Sequence, residues 1–472
     1  MTAKNLLHVT ARRHFLRDSA AGIGMMALGE LLNAADPPDP LAPRKPHFAP
    51  KAKNVIFLFQ EGAPSQMDLF DPKPELQKWH GKPLPASMTK DLKLAFIKPT
   101  AAVLGSPSTF RPRGKCGMVL ADHLHHTGEF ADDMCLIRSM HSDAVNHHPG
   151  QLYLFSGHMI GGRPSMGSWV TYGLGSESRN LPAFVAMQSG KGTSAGSDIW
   201  SNGFLPSLYQ GTVLRSSGDP ILYLANPPGI SAKSQRARLD MLRELNRENL
   251  EQTGDAEIAS RMHAYELAYR MQTAGPELTD LSKESEATRE MYGLNDDKSR
   301  GYGTNLLLAR RMVERGVRFV LAMHASWDHH STINKGIKDK CAETDKPTAG
   351  LLRDLKQRGL LEQTLVVWAG EFGRTPMSEV RRPDEADNAG RDHHRDGYSL
   401  WLAGGGIKGG QTIGRTGELA LDIVEDKVEV HDLQATMLHL LGLEHTKLTY
   451  RHMGRDFRLT DIHGSQIGRA HV

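Results

Sequence analysis

Four apolar runs in this chain break off into acids and imidazoles. "NVIFLF" leads to Gln60, Glu61, Asp68 and Asp71, and "MCLIRSM" leads to His141, Asp143, Asn146, His147 and His148. "VRFVLAMH" leads to Asp328, His329 and His330; "TLVVWAG" leads to Glu371 and Arg374, with Arg391, Asp392, His393 and His394 close behind in "RDHHRD". Carboxylates and imidazoles hold zinc or manganese, and carboxylates also suit calcium or magnesium. The 23 histidines, many in tight groups such as "HLHH" and "NHHPG", therefore supply donors for a divalent metal centre. Guanidinium groups grip phosphate or sulfate oxygens in pairs, so Arg374 and Arg391 are candidates to hold an anionic group beside it.

Such residues can meet only if the strand ends converge. In open α/β sheets ligands bind beyond the carboxyl ends of the strands. The sequence asks for such a sheet: "NVIFLF", "MCLIRSM", "LPAFVAM", "VRFVLAMH", "TLVVWAG" and "YSLWLAGGG" read as strands. Between them "HPGQLYLF", "PSMGSWVTYGLG", "GTNLLLARRMVERG", "PTAGLLRDLKQRGLL" and "HDLQATMLHLLGL" read as helices. Continuous apolar strands alternating with amphipathic helices predict an α/β class, a doubly wound and mostly parallel sheet with helices on both faces. From about residue 231 to 297 the chain is highly charged and helical in pattern, which predicts a helical insertion, read as a solvated hairpin. The glycine-rich "AGGGIKGGQTIG" follows a strand without opening a helix, so it is a weak phosphate loop.

The chain has 472 residues, enough for one large domain with insertions. Its 57 basic and 54 acidic residues leave a formal charge of only +3, which gives no global electrostatic case for nucleic acid. Cys116, Cys135 and Cys341 form neither a disulfide framework nor a thiolate zinc pattern. At the N-terminus "ARRHFLRDSAAGIGMMALGELLNAAD" places Arg12 and Arg13 before a short apolar run, and residues 1–35 resemble a twin-arginine export signal. That run is shorter than the roughly 20 residues of a membrane span, and Glu30 interrupts it. The expected partner is the twin-arginine export machinery, and the expected location is periplasmic or extracellular. Residues 36–53 read as a proline-rich linker and 54–472 as the folded domain.

The tail "WLAGGGIKGGQTIGRTGE" followed by "VEVHDLQATMLHLLGLE" resembles the end of sulfatases and other enzymes of the alkaline phosphatase superfamily, with the helix here at Asp432 to Gly442. "FQEGAPSQMDLFDPKPEL", "RPSMGSWVTYGLG", "WDHHSTIN", "GEFGRTP" and "GRDHH" together resemble a secreted bacterial sulfatase-like family, domain of unknown function 1501, across nearly all of the mature chain. The resemblance implies an alkaline-phosphatase-like core around a metal, with no established substrate. Against that superfamily, Gln60 and Glu61 stand where the first strand normally ends in aspartate. His147 falls where the nucleophile is normally found, about ten residues before Ser156 and Gly157. Phe372 follows Glu371 where many relatives carry an aspartate and then a histidine.

Residues and resemblance together lead to one expectation, an exported metal-dependent hydrolase of phosphate or sulfate esters. Asp68, Asp328, His330, Glu371 and His393 would hold a divalent ion (zinc, calcium, magnesium or manganese), with Asp392 and His393 available for a second. His147 is the candidate nucleophile or general base, Arg374 and Arg391 the anion clamp, and attack by metal-bound water is preferred to a covalent intermediate. The substrate would be a small anionic ester or a sulfated or phosphorylated glycan. The alternative is a non-catalytic protein of the same fold that binds an anion or a carbohydrate.

Overall fold

Seven consecutive buried residues, Asn54–Gln60, form strand β1, the centre from which the sheet extends both ways. The computed structural model describes residues 39–90, 92, 94–215, 221, 224–380 and 388–470. The other strands of the sheet are β2 (Met134–His141), β3 (Phe184–Ser189), β4 (Thr212–Leu214), β5 (Phe319–His324) and β6 (Thr364–Ala369). A separate ribbon, β7 (Gly373–Glu379) and β8 (Gly390–His394), precedes β9 (Tyr398–Ala403), β10 (Gln411–Ile413) and β11 (Val428–Glu429).

The sheet runs β10-β2-β9-β6-β1-β5-β3-β4, with β11 also paired to β2. Only β9 is antiparallel to its sheet neighbours, β6 and β2. All the others are parallel, with Val55 opposite both Phe319 and Leu365. The α/β, mostly parallel class expected from the sequence is thus the one observed. Because β1, β2, β5 and β6 point the same way, the four polar breaks noted in the sequence fall at one edge of the sheet.

The helices that concern the site are α1 (His147–Ser156) and α2 (Met166–Leu174). The charged stretch supplies α3 (Ala232–Thr253) and α4 (Ala256–Thr279), and α5 (Arg300–Val313), α6 (Ile333–Gln357) and α7 (Val430–Leu440) follow. Strand alternation divides the apolar residues between two faces. Ile56, Leu58, Val320, Ala322, Val366 and Trp368 share one core with Leu306 and Met312 of α5 and Leu351 and Leu355 of α6. On the opposite face the rings of Phe57 and Phe59 lie 5.0 and 5.1 Å from Phe155 of α1. Helices therefore cover both faces.

Two elements differ from the sequence reading. Helix α6 starts at Ile333 rather than at Pro347, which lies inside it. A mid-helix proline costs about 3 kcal/mol. Burial of Ile337, Cys341 and Thr344 on one stripe offsets that cost. The β7–β8 ribbon was not expected, since "GRTPMSE" and "GRDHH" carry little apolar signal.

The chain divides into two units, Met1–Ala42 and Pro43–Val472. The signal-like segment lies outside the described residues; of the first unit, residues 39–42 form a turn in which Ala42 N donates to Asp39 O at 2.9 Å. In the second unit part of the stretch read as a linker is tied down, with Lys51 and Ala52 N donating to Leu440 O and His47 N to Gly442 O, each at 2.9 Å. No helix among the described residues is long and apolar enough to cross a membrane.

Candidate metal centre

His147 opens α1. Asn146 precedes it with extended backbone, Pro149 sits in the first turn where a missing N–H costs nothing, and Gly157 ends the helix at φ 69°. The i, i+4 spacing puts His147 and Gln151 on one face. Asp328 and His330 lie on the turn after β5. That turn passes so close to Gly62 that a Cβ there would lie 2.5 Å from Asp328 N. Non-glycine residues Ala63 (φ 57°) and Ser326 (φ 82°) hold left-handed backbone on either side, the kind of strain that persists where surroundings fix it. His393 comes from β8, whose pairing with β7 slips between Arg391 and His393. Such a slip re-aims side chains.

These turns bring His147, Asp328, His330 and His393 together, with one donor atom of each within 4.8 Å of the others. Asp328 Oδ1 lies 3.1 Å from His147 Nε2, 2.9 Å from His330 Nε2 and 3.4 Å from His393 Nε2. His330 Nε2 and His393 Nε2 are 3.0 Å apart. Each imidazole is held from behind at Nδ1. His147 donates to Glu371 Oε1 at 2.6 Å, His393 to Val145 O at 2.7 Å, and His330 to Glu379 Oε2. A carbonyl or carboxylate accepts only, so Nδ1 carries the proton and a neutral ring turns its Nε2 lone pair inward.

The charges are strongly coupled. Burial would raise Asp328, but His147, His330, His393 and the Arg374 guanidinium hold it far below the ordinary carboxylate range. Burial would lower His147, yet Asp328 and Glu371 push it up to about 10. His330 is raised against burial by Asp328 and Glu379, whereas burial prevails at His393 and lowers it. Burial together with neighbouring Glu371 pushes Glu61 up to about 7. The Asp328 side chain is 38% exposed while those of the three imidazoles are 2–16% exposed, so the cluster opens to solvent on its aspartate side.

Of the residues expected from sequence, Asp328, His330 and His393 meet as described, and His147, expected as a nucleophile or base, stands with them. Glu371 is fully buried behind His147, where its oxygens also accept from Gly62 N, Ala63 N and Gln151 Nε2 at 3.2 to 3.3 Å. The structure does not bring Asp68 to the cluster. Its carboxylate is paired with Arg391, Oδ2 to Nε at 2.7 Å and Oδ1 to Nη2 at 3.2 Å, both side chains being completely buried. Arg374 is likewise committed inward: Nε donates to Ala63 O at 2.9 Å, Nη1 to Arg391 O at 3.1 Å, and Nη2 to Gly62 O and to Asp328 Oδ1, the latter at 2.5 Å. Neither guanidinium presents a free fork to an anion. Asp392 is within reach of His330 and Glu379, and its oxygens accept backbone N–H groups of His393, Phe96 and Ile97 at 2.8 to 3.1 Å.

Sequence reasoning missed Glu379 and Gln151. Gln151 was signalled by its helical spacing from His147, and Glu379 only by being an acid at the end of the almost wholly buried strand β7. A second group, His125, His126 and Asp345, lies elsewhere, where Asp345 accepts the backbone N–H of His126 and Thr127 at 2.8 Å. Phe372 packs beside the centre, its ring 4.7 Å from that of His393 and 5.1 Å from that of His147.

Fold and site thus describe an open α/β protein with a histidine-rich cluster beyond the carboxyl ends of its central strands. The chain belongs to the family described as "Protein of unknown function (DUF1501)", which matches residues 52–470. No curated protein matches it. Among solved structures, the lipoteichoic acid synthase LtaP from Listeria monocytogenes aligns with a TM-score of 0.40 and 10% identity over 91% of this chain and 80% of that one. The PsFucS1 sulfatase from Pseudoalteromonas sp. gives 0.37 and 14% over 85% and 68%. The alkaline phosphatase from the Antarctic bacterium TAB5 gives 0.31 and 11% over 83% and 98%.

Proposed function

We propose that this chain is a metal-dependent hydrolase of phosphate or sulfate esters that acts outside the cytoplasm. One observation carries the metal: the Nε2 atoms of three imidazoles, each ring held from behind at Nδ1, converge on Asp328 Oδ1. The donors fit an ion on two counts. Four of their six separations, the three from Asp328 and the one between His330 and His393, are 2.9–3.4 Å, close to the edges of about 3.3 Å implied by tetrahedral bonds of about 2.0–2.1 Å to zinc, and all six lie within 4.8 Å. In addition, His147 Nε2 is buried without a hydrogen-bond partner, off the line of a hydrogen bond to Asp328. Three imidazoles and one carboxylate favour zinc or a similarly nitrogen-seeking ion over calcium or magnesium.

His147, His330, His393 and Asp328 would hold the ion. When bound, it supplies Lewis acidity toward an ester oxygen and lowers the pKa of water. Glu371, Glu379 and the Val145 carbonyl fix the three rings, and Arg374 fixes Asp328. Substrate approach is from the exposed side of Asp328. The ester class rests on the family resemblance, and the location on the twin-arginine-like N-terminus. Because both arginines are turned inward, they act here as braces rather than as an anion clamp.

The test is elemental analysis of the purified chain, followed by a panel of generic phosphate and sulfate esters assayed before and after chelation. Expected are about one ion per chain and hydrolysis that is lost on chelation and restored by the ion. A chain that binds no divalent ion ends the reading. One that binds the ion and a sulfated or phosphorylated ligand without turnover is instead a binding protein of the same fold.

A further inference from the structure

Helix α3 is 22 residues long and buries none of them. It rests on α4 through Arg236, whose guanidinium meets Glu266 at 2.9 Å and lies 4.8 Å from the Tyr269 ring. Its outer side is not that of a solvated helix. Met241, Leu242 and Leu245 are 67%, 42% and 50% exposed, and their spacing places them on one stripe. One turn before them on that stripe stands Arg238 and one turn after stands Glu248, both exposed and without an ion-pair partner among the described residues.

Three pairs of exposed or half-buried positions on the outer side are matched in chemistry about position 243. Reversing the helix through that point exchanges Arg238 with Glu248, Met241 with Leu245, and polar Ser234 with polar Gln252. A two-fold interface requires that residue i meet residue j while j meets i. Charge complementarity therefore selects the occupant. We infer that the outer face of α3 docks antiparallel on the same face of a second copy of this chain, with Met241 against Leu245 at the centre, Leu242 flanking them, and an Arg238–Glu248 pair at each end. An acidic or basic partner would leave one end of the stripe facing like charge, whereas a second copy satisfies both. A single helix pair is a small interface, so the dimer is weak and reversible.

Sedimentation velocity on the purified full chain, from low to high micromolar, reads this directly. Wild type is expected to shift from monomer toward dimer as concentration rises. R238E and E248R each place like charges opposite one another and are expected to weaken association about tenfold or more. The double swap R238E/E248R restores opposite charges and is expected to restore the dimer. Both positions of change are exposed, and circular dichroism checks that each of the three variants is folded. A wild type that stays monomeric throughout overturns the inference. So does a dimer that the single swaps leave intact, or one that the double swap fails to recover.

Discussion

His147 donates Nδ1–H to Glu371 Oε1 at 2.6 Å while its Nε2 stands 3.1 Å from Asp328 Oδ1. One carboxylate holds the ring from behind and the other faces it, so Glu371 governs the centre without being among its converging atoms. Glu371→Gln keeps the volume and the link to the backbone amides but removes the anion. The expected result is roughly 10- to 100-fold weaker metal binding with an unchanged fold, measured by chelator competition. Unchanged affinity would remove Glu371 from any role at the centre.

In the metal-free chain His147 is protonated well above neutrality, since Asp328 and Glu371 push it up to about 10 against the lowering effect of burial. An incoming ion must displace that proton. Metal affinity is therefore expected to climb with pH up to about 10, by about one decade per pH unit for one displaced proton. Titrations in buffers of differing ionisation heat would show the release. The same shift has a stability consequence: His147 stabilises the metal-free fold fully below its unfolded value of 6.5, and that contribution fades as pH rises through about 10. A pH-independent affinity would contradict the assignment.

The sheet was legible because β1, β5 and β6 are continuous apolar runs whose polar ends face one edge in a parallel arrangement. Asp328, His330 and His393 were legible for the same reason, as chemistry at strand ends. What the sequence does not reveal is direction. Arg374 and Arg391 have the right type for an anion clamp, but their guanidiniums turn inward because Asp68, Asp328 and several carbonyls lie buried around them. Glu379 was hidden because it depends on the register of β7 with β8, where Glu379 lies opposite Gly390. A long-range pairing of that kind leaves no local pattern.

Burial of Glu61 is only partly compensated by the Ser326 amide, His147 and Gln151. Desolvation and Glu371 push it up to about 7, so between 4.5 and about 7 the metal-free fold prefers it protonated. Its stabilising effect is full below 4.5 and is lost as pH rises through about 7, on the order of 3 kcal/mol. Glu61→Gln should flatten that part of the stability profile and raise stability at pH 8 under chelation, followed by urea unfolding. A profile still sloping downward over that window would place the titration elsewhere.

Asp68 separates a structural carboxylate from a metal ligand. It was expected to hold the ion, yet it is wholly buried and pairs with equally buried Arg391 through two bonds of 2.7 and 3.2 Å, while Ser65 Oγ donates to Oδ2 at 2.5 Å. Removing one partner of a buried pair leaves the other charge unpaired, a loss of about 3–5 kcal/mol. Asp68→Ala should therefore unfold at clearly lower urea concentration, while the fraction that remains folded keeps its full metal content. Asp328→Asn should do the reverse, because its side chain is 38% exposed and its oxygen is where the imidazoles converge. Metal loss from folded Asp68→Ala, with stability unchanged, would return Asp68 to the ligand set.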